Sequence, residues 1–370
     1  MVKKVLIVYT SGGMGHVMAA KAIEKVFQQR YPQVTTKNIN VIDYAPRWFA
    51  KSFVDGYNFV SAKVPQLWGW LYQRFNDPSS KKLPAWVAQQ AIEKKFISAV
   101  KAFKPDCIVS THPLPMILIS HSKHRDLIDI YSSMVVTDFG CHSLWVDPEV
   151  NHYFVASEEV RRCLAGLGVR PEQIMVTGIP IDPKFGASLD RGAIRRQLGL
   201  SAGRFTLLMV GGQFSFEDLK KIITGVRRKN GNVQFIVVAG RDQRLKKALE
   251  RANLDRGDGV KIFGFVDTME ALMTASDVIF SKAGGLTVSE CLARGLPLII
   301  NQVIPGQEED NVSFLVAKGA AVKVSGVRGV VAAAVALAAD PKKIKAMKQA
   351  CQKLGKPNSA AALADFICRR

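Results

Sequence analysis

The chain has 370 residues and a formal net charge of +20 at pH 7, and 48% of its residues are hydrophobic. This length exceeds one ordinary hydrophobic core and predicts two domains, while the hydrophobic content excludes a disordered chain. No run approaches the ~20 apolar residues that a membrane span needs, and the longest candidate, residues 330–339, is short and rich in alanine.

The excess of positive charge predicts a polyanionic partner, either nucleic acid or an anionic membrane surface. The alternative is a host whose proteins are generally basic. The six cysteines are scattered and form no Cys-x-x-Cys pair, so neither a metal finger nor a disulfide framework is expected. They fit a reducing cytosol.

The first half alternates short apolar runs with amphipathic stretches. Lys3 and Lys4 precede an apolar run in the charge order of a signal peptide, but the run is too short and no small-residue cleavage site follows, so a buried strand is predicted there. A helix is predicted over residues 17–30 from its helical spacing of apolar residues. The predicted strands are residues 5–9, 38–42, 107–110, 133–137 and 153–156.

The second half repeats this alternation, which predicts an α/β fold with parallel, helix-covered sheets. Its predicted strands are residues 205–210, 233–239, 260–263, 278–280 and 298–301. We expect two Rossmann-like domains facing a cleft, with ligands at the carboxyl ends of the strands. The predicted limits are 1–178 for the N-terminal domain, 179–203 for a linker, 204–356 for the C-terminal domain and 357–370 for a final helix.

Residues 47–86 differ from the rest because they hold four of the five tryptophans, interleaved with lysine and arginine. Aromatic rings and long cationic side chains suit the headgroup layer of a bilayer. An aromatic core for helices packed on the sheet is the equally weighted alternative. The candidate membrane contacts are Trp48, Trp68, Trp70, Lys81 and Lys82.

A glycine-rich turn follows the first predicted strand and opens the first helix. Its glycines, Gly12, Gly13 and Gly15, allow a ligand to approach the backbone and place His16 at the helix N-terminus, in the cleft. The spacing is not the Gly-x-Gly-x-x-Gly of dinucleotide sites. A histidine there can act as a general base, although the helix dipole is expected to lower its pKa.

Three further polar residues follow two other strand ends of the same half. His112 follows one strand, and Asp138 and His142 follow the next. Side chains at neighbouring strand ends converge on one cleft mouth, so Asp138 could assist His16 or serve as the base itself. The alternative for each is a residue that caps a loop.

The second half carries two glycine turns after strands, Gly211–Gly212 and Gly284–Gly285. The latter opens a helix that begins near Leu286 and Thr287 and carries Glu290 one turn on; such a helix start attracts phosphate. Gln307, Glu308 and Asn311 follow the next strand, and carboxylates and amides beside a phosphate cradle indicate a nucleotide-sugar. No Asp-x-Asp is present, so the phosphate charge must be met by amides, helix dipoles and basic side chains.

Together these residues resemble the UDP-sugar-dependent glycosyltransferases that make glycosyldiacylglycerols. That family comprises the monogalactosyldiacylglycerol synthases and the processive diacylglycerol glucosyltransferases, which are relatives of the N-acetylglucosaminyltransferase that makes lipid II. The likeness spans nearly the whole chain, and residues 305–308 are particularly specific to the lipid branch. It is strongest in residues 12–16, 111–113, 136–138, 153–159 and 282–311.

The resemblance implies a GT-B fold whose C-terminal helix returns to the N-terminal domain. It implies a metal-independent, inverting transfer of a hexose, glucose favoured over galactose, from a UDP-sugar to diacylglycerol. No cofactor and no nucleic acid are expected. The expected location is cytoplasmic, peripheral on the inner face of the cell membrane. The sequence leaves open which hexose is used, whether one or several are added, and the oligomeric state.

The resemblance also assigns roles to residues. His16 becomes the general base, with Asp138 its alternative or helper, and Phe265 meets uracil with its backbone. Gly284 and Gly285 would hold the diphosphate, Glu290 the ribose hydroxyls, and Gln307 and Glu308 the hexose. The further donor-binding residues are Leu286, Thr287 and Asn311. The phosphate role of Gly211 and Gly212 is less secure, because their turn departs from the family pattern. The acceptor side takes Gly12, Gly13, Gly15, His112 and His142.

Two rival functions fit much of this pattern. A UDP-N-acetylglucosamine 2-epimerase shares the fold and the donor class but needs no acceptor, and a related glycosyltransferase could use a soluble acceptor. The aromatic and basic segment, and the absence of an evident second acid/base set in the C-terminal half, argue against the epimerase, whereas the glycosyltransferase with a soluble acceptor stays open. A nucleic-acid binder could use the charge, but no recognised nucleic-acid motif is present.

Overall fold

The structure is a computed structural model that describes residues 2–11, 13–46, 85–210, 214–252, 254, 259–301, 303 and 306–370, without the side chains of residues 85–91 and 307. Several predicted site residues therefore lie outside the described part of the chain. These are Gly12, Gly211, Gly212, Trp48, Trp68, Trp70, Lys81, Lys82 and the side chain of Gln307.

The first half forms a parallel sheet of six strands in the order β2-β1-β3-β4-β5-β6. Val5 in β1 lies beside Thr36 of β2 and Cys107 of β3, so β1 has neighbours on both sides. The strands are β1 (Lys4–Tyr9), β2 (Thr35–Asn40), β3 (Cys107–Ser110), β4 (Tyr131–Val135), β5 (His152–Phe154) and β6 (Ile174–Met175).

Helices cover this sheet. The predicted apolar stripe of the first helix is buried at Ile23, Val26 and Phe27, against the core that also holds Val5 and Ile7 of β1. The α-helices are α1 (Met14–Arg30), α2 (Ala85–Phe103), α3 (Pro113–His124) and α4 (Glu158–Gly166). Short 3₁₀ turns lie at Val41–Tyr44, Ser143–Trp145 and Pro171–Gln173.

The second half forms a parallel sheet in the order β12-β11-β10-β7-β8-β9. Its strands are β7 (Phe205–Val210), β8 (Val233–Val238), β9 (Val260–Phe263), β10 (Val278–Phe280), β11 (Leu298–Ile300) and β12 (Ala321–Lys323). Between the two sheets lie a 3₁₀ turn at Pro183–Gly186 and helix α5 (Arg191–Gln197). The later helices are α6 (Phe216–Lys229), α7 (Gln243–Arg251), α8 (Met269–Ala275), α9 (Gly285–Ala293), α10 (Gln307–Ala317), α11 (Gly326–Ala339) and α12 (Pro341–Leu354).

The last helix, α13 (Ser359–Cys368), packs against the first sheet's helix α1 rather than the second half. Asp365 accepts hydrogen bonds from Arg30 Nη1 at 3.0 Å and Tyr31 Oη at 2.8 Å. Ile367 joins the core that contains Phe27. The predicted return of the C-terminal helix and the predicted α/β architecture of two parallel sheets are confirmed, while the exact domain limits stay predictions.

A half-buried carboxylate anchors α5 to the second sheet. Asp277, immediately before β10, accepts hydrogen bonds from Arg191 at 2.7 Å, Arg195 at 2.9 Å and Lys348 of α12 at 2.9 Å. Burial alone raises the pKa of Asp277, but Lys348 and Arg191 outweigh it and lower the pKa. The charge of the aspartate is thus compensated by helices on both sides.

A disulfide joins two segments of the first half. Cys141 and Cys163 form it, against the expectation from the scattered cysteines that the chain has no disulfide framework. It connects the loop after β4 to α4, two segments that the sequence alone does not bring together.

Within the described residues, no helix is long and apolar enough to cross a bilayer.

Candidate functional site

His16 lies in the first turn of α1, against the carboxyl ends of β3 and β4. Its Nδ1 atom lies 2.6 Å from the backbone oxygen of Thr111 and 3.2 Å from Thr137 Oγ1. A carbonyl oxygen can only accept, so Nδ1 carries the proton and donates it to this contact. In the neutral ring, Nε2 then holds the free lone pair that a general base needs.

The His16 ring is neutral at physiological pH. Burial lowers its pKa to about 4, and the hydrogen bond to Thr111 opposes this shift. The direction of this shift agrees with the expectation from the sequence, and the loss of solvent is its largest cause. A neutral imidazole can accept a proton without first losing one.

His112 and His142 both cap the helical turn that follows them. Nδ1 of His112 accepts a hydrogen bond from the Leu114 N–H at 3.1 Å, and Nδ1 of His142 accepts one from Leu144 at 3.1 Å. Each neutral ring therefore carries its proton on Nε2. The capping alternative is observed for both residues.

His16 and His112 lie close together, as the strand ends predicted. The His112 ring meets the His16 ring edge-on, with centroids 4.7 Å apart, and Trp145 lies 6.4 Å from His16. Burial, with a smaller effect of His16, holds the pKa of His112 well below its usual value. These three rings line one wall of the cleft.

The loop after β4 crosses the cleft and contacts the second half. Asp138 Oδ1 lies 3.5 Å from Asn311 Nδ2, and the Phe139 ring stacks on Phe314 of α10 with centroids 4.8 Å apart. Asn311 is fully buried. Asp138 therefore faces the donor half, while the contacts of His16 Nδ1 are Thr111 and Thr137.

The first turns of α1 and α9 lie against each other. The Cβ of Leu286 is 3.9 Å from the position that a Cβ of Gly15 would take. A Cβ at Gly285 would overlap the backbone oxygen of Thr137. Only glycine permits the close approach of position 285 to Thr137, whose hydroxyl oxygen lies 3.2 Å from His16 Nδ1.

The glycine pair opens α9 as predicted. Gly284 is the N-cap and offers no side chain to the free N–H groups of the first turn, which includes Leu286 and Thr287. These amides and the helix dipole favour an anion at this point. The diphosphate role of Gly284 and Gly285 stays a prediction.

Glu290 lies one turn further along α9, with its carboxyl largely shielded from water. Burial raises its pKa to about 8, Lys184 opposes the shift, and Asp182 and Glu270 add to it. Lys184 comes from the connection between the sheets and forms an ion pair with Glu270 at 3.1 Å. The carboxyl is thus mostly protonated at pH 7 in the absence of a ligand.

The hexose-side residues lie at the start of α10. Glu308 is 5% exposed, and its Oε1 lies 3.6 Å from Lys282 Nζ. Gly306 donates its N–H to Glu309 at 3.1 Å, which closes the first turn of α10. The sequence analysis did not single out Lys282, although it directly precedes Ala283 and the glycine pair.

Phe265, the predicted uracil contact, is 58% exposed after β9. The guanidinium carbon of Arg241 lies 5.2 Å from the centre of its ring.

No group of three or more His, Cys, Asp or Glu side chains suited to a metal ion occurs in the part of the chain that the structure describes.

The amino-acid sequence is similar to known families and proteins over nearly its whole length. Residues 16–181 match the monogalactosyldiacylglycerol (MGDG) synthase family, and residues 206–363 match the glycosyltransferase family 28 C-terminal domain. The processive diacylglycerol beta-glucosyltransferase of Bacillus mycoides is 30% identical over 378 residues, which cover 98% of this chain and 93% of that protein. The chain belongs to the family of diacylglycerol glycosyltransferases.

Solved structures extend the likeness to the fold of these glycosyltransferases. MurG of Acinetobacter baumannii superposes with a TM-score of 0.64 at 15% identity, over 100% of both chains. The UDP-GlcNAc 2-epimerase of Neisseria meningitidis, solved with UDP-GlcNAc, gives the same TM-score at 14% identity over 99% of this chain and 100% of that one. The predicted GT-B fold is thereby confirmed.

Membership of the diacylglycerol glycosyltransferase family leaves the individual residue roles as predictions. The structure brings His16, His112, Asp138 and the glycine pair to one cleft. Thr111, Thr137 and Trp145, which complete the surroundings of His16, were missed as partners, and only the position of Thr111 and Thr137 at strand ends signalled them. Lys282 and Lys184 became visible only through their ion pairs.

Proposed function

We propose that the protein transfers a hexose from a UDP-sugar to the hydroxyl of diacylglycerol and so makes a β-glycosyldiacylglycerol. The observation that carries this proposal is the contact between the first turns of α1 and α9. It places the neutral His16 beside the uncapped helix start at Gly284 and Gly285. A proton acceptor and an anion cradle at one point are the requirements of such a transfer.

The mechanism follows from the hydrogen bonds of His16. The acceptor hydroxyl gives its proton to Nε2 of His16, while Nδ1–H stays bound to the Thr111 oxygen and keeps the ring oriented. The hydroxyl oxygen attacks the anomeric carbon as the bond to the β-phosphate oxygen breaks, and UDP leaves with that electron pair. Attack opposite the leaving group inverts the anomeric centre. Asp138 is the alternative base or the helper.

We also propose that no metal ion takes part. The N–H groups of α9 and the Lys282 ammonium supply positive charge where the diphosphate leaves. Excess chelator should then leave the transfer rate unchanged. A rate lost to chelator and restored by a divalent cation would contradict this part of the proposal.

Glucose is the proposed hexose, and repeated transfer onto the glycolipid product is proposed as well. The name of the Bacillus mycoides relative supports both statements. Peripheral attachment to the inner face of the cell membrane is supported by the net charge of +20.

The deciding experiment offers the purified protein a panel of UDP-sugars with diacylglycerol in anionic vesicles. We expect mass spectrometry to detect glucosyldiacylglycerol, followed by products with more than one glucose. Omitting the lipid separates the epimerase alternative, because an epimerase converts UDP-N-acetylglucosamine by itself. Absence of any glycolipid with every donor would overturn the proposal.

A further inference from the structure

Helices α11 and α12 together form a surface of the C-terminal half that carries almost no negative charge. Across residues 326–354 the only acidic residue is Asp340. Its carboxylate accepts the N–H of Lys343 at 2.9 Å and so caps the start of α12. The basic residues of this range are Arg328, Lys342, Lys343, Lys345, Lys348 and Lys353.

The lysines of α12 lie mainly on the side of the helix that faces solvent. The buried side consists of Ile344, Met347 and Cys351. Lys342, Lys345 and Lys353 are exposed on the opposite side. Lys348 is the exception, because its ammonium pairs with Asp277 at 2.9 Å. Among the described residues, none forms an ion pair with Lys342, Lys345 or Lys353.

The stability of α12 does not account for the lysines at its start. Lys342 and Lys343 lie in the first turn, which holds no acidic residue, and Lys345 follows directly. The positive end of the helix dipole disfavours cations at this position. Lys342 and Lys345 are also three residues apart on one face and repel each other. A partner with negative charge outside the protein would compensate both effects.

Helix α11 presents an uncharged surface beside these lysines. Its exposed small side chains include Ala332, Ala336 and Ala339, and its only charged residue is Arg328. α11 ends just before Asp340 and packs against α12. Small apolar side chains can approach a headgroup layer with little desolvation cost, while neighbouring ammonium groups bind its phosphates.

We propose that the exposed side chains of α11 and α12 bind the phosphates of anionic phospholipids at a bilayer surface. The α11–α12 face consists of Ala332, Ala336, Ala339, Lys342, Lys345 and Lys353. The chain belongs to a family that acts on diacylglycerol, a lipid of the bilayer, so a membrane is favoured over nucleic acid as the polyanion. The inference rests on the proposed membrane attachment and gives it a contact in the C-terminal half, separate from residues 47–86.

Co-sedimentation of the full chain with vesicles of phosphatidylglycerol and phosphatidylcholine in equal parts tests the proposal. Lys342→Glu/Lys345→Glu should weaken binding at least about 25-fold, because one lysine at an anionic surface contributes about fivefold. Lys220→Glu/Lys221→Glu is the matched control, since it makes the same change in net charge on α6, whose exposed residues include Glu217. It should stay within about threefold of the wild type, because salt screens charges that do not touch the surface.

The thermal transition separates membrane binding from a structural role of the lysines. Glutamate at the start of α12 is favoured by the helix dipole, so Lys342→Glu/Lys345→Glu should raise the Tm while it weakens vesicle binding. Diacylglycerol dispersed in detergent should be glycosylated at the same rate by the wild type and both variants. A Tm or a detergent rate lowered by the α12 variant would overturn the inference.

Two binding results would also overturn it. One is equal vesicle affinity of the α12 variant and the α6 variant. The other is an oligonucleotide that binds the wild type more tightly than the vesicles do and loses this binding in the α12 variant. The sedimentation assay contains no UDP-sugar and is therefore independent of transfer. A protein with the expected vesicle pattern that makes no glycolipid would contradict the proposed transferase function and retain the α11–α12 face.

Discussion

The side-chain oxygen of Asn311 accepts a hydrogen bond of 2.7 Å from the backbone N–H of Phe139 and so joins the two halves of the cleft. The amide nitrogen of the same residue donates to the Ala283 oxygen at 2.9 Å, next to the glycine pair. One buried amide therefore fixes both the loop that carries Asp138 and the loop before α9. The amide satisfies both loops because it carries a donor and an acceptor.

Asn311→Asp should destabilise the fold. The carboxylate keeps the bond from Phe139 but faces the Ala283 oxygen and Asp138 without donors, which costs about 2 kcal/mol or more of unfolding free energy. Urea unfolding at pH 7 measures this loss. Asn232→Asp, at an exposed position, is the control and should change stability by less than about 0.5 kcal/mol. Equal stability of the two variants would contradict the bridging role.

Gly285→Ala should hold the cleft open. The new Cβ would overlap the Thr137 oxygen and approach Ile179 Cδ1 to 3.2 Å, so the first turn of α9 has to move away. An overpacking cost of about 1–3 kcal/mol corresponds to a loss of about 10- to 100-fold in kcat/KM. Gly203→Ala, whose Cβ meets nothing within 4 Å, is the matched control. Similar kcat/KM for both variants would show that the contact is not needed for transfer.

His16→Ala should lower kcat by at least about 100-fold, the low end for a positioned general base. The natural control is His124→Ala, because that side chain is 59% exposed and lies outside the cleft. Single-turnover rates with UDP-glucose and diacylglycerol measure the effect. A rate near that of the wild type would remove His16 from the role and leave Asp138 as the base.

On the acid side, kcat/KM should fall only at an unusually low pH. In the ligand-free protein the pKa of His16 is about 4, so the ring keeps its Nε2 lone pair until the pH falls toward that value. An unperturbed histidine base would lose activity below about pH 6.5. The profile of kcat/KM reports the free enzyme and is the measurement to make. A limb near pH 6.5 would contradict the buried environment of the ring.

Glu290→Gln should stabilise the ligand-free protein increasingly as the pH rises. The pKa of Glu290 is about 8 in the folded protein and near 4.5 when unfolded, so the folded state binds the extra proton between these values. The stability contribution of the wild-type glutamate therefore falls as the pH rises from about 4.5 to about 8, and glutamine has no such loss.

Thermal unfolding of wild type and Glu290→Gln at pH 5 and pH 8 measures this difference. The gap in Tm should be larger at pH 8. Glu250→Gln, on the exposed side of α7, is the control, and its Tm difference should be the same at both pH values. A gap that does not change with pH would show that the Glu290 carboxyl is not buried.

Four strands were predicted with correct limits. Three of them, β3, β7 and β10, are short, mainly apolar runs with a strand on each side, and the fourth, β9, is an edge strand of four residues that includes Lys261. Such runs have a continuous hydrophobic signal that needs no tertiary information. The strands β6 and β12, at the sheet edges, are two and three residues long and escaped the prediction because so short a segment carries no pattern.

The sequence by itself determined the architecture, the family and the group of residues that meet in the cleft, because hydrophobic periodicity and glycine turns are local signals. Only the tertiary structure decided the chemistry of those residues. The tautomer of His16 depends on a backbone carbonyl, which every residue possesses and no sequence pattern marks. The low pKa of His16, the high pKa of Glu290 and the pairing of Lys282 with Glu308 arise from burial and from contacts between distant segments.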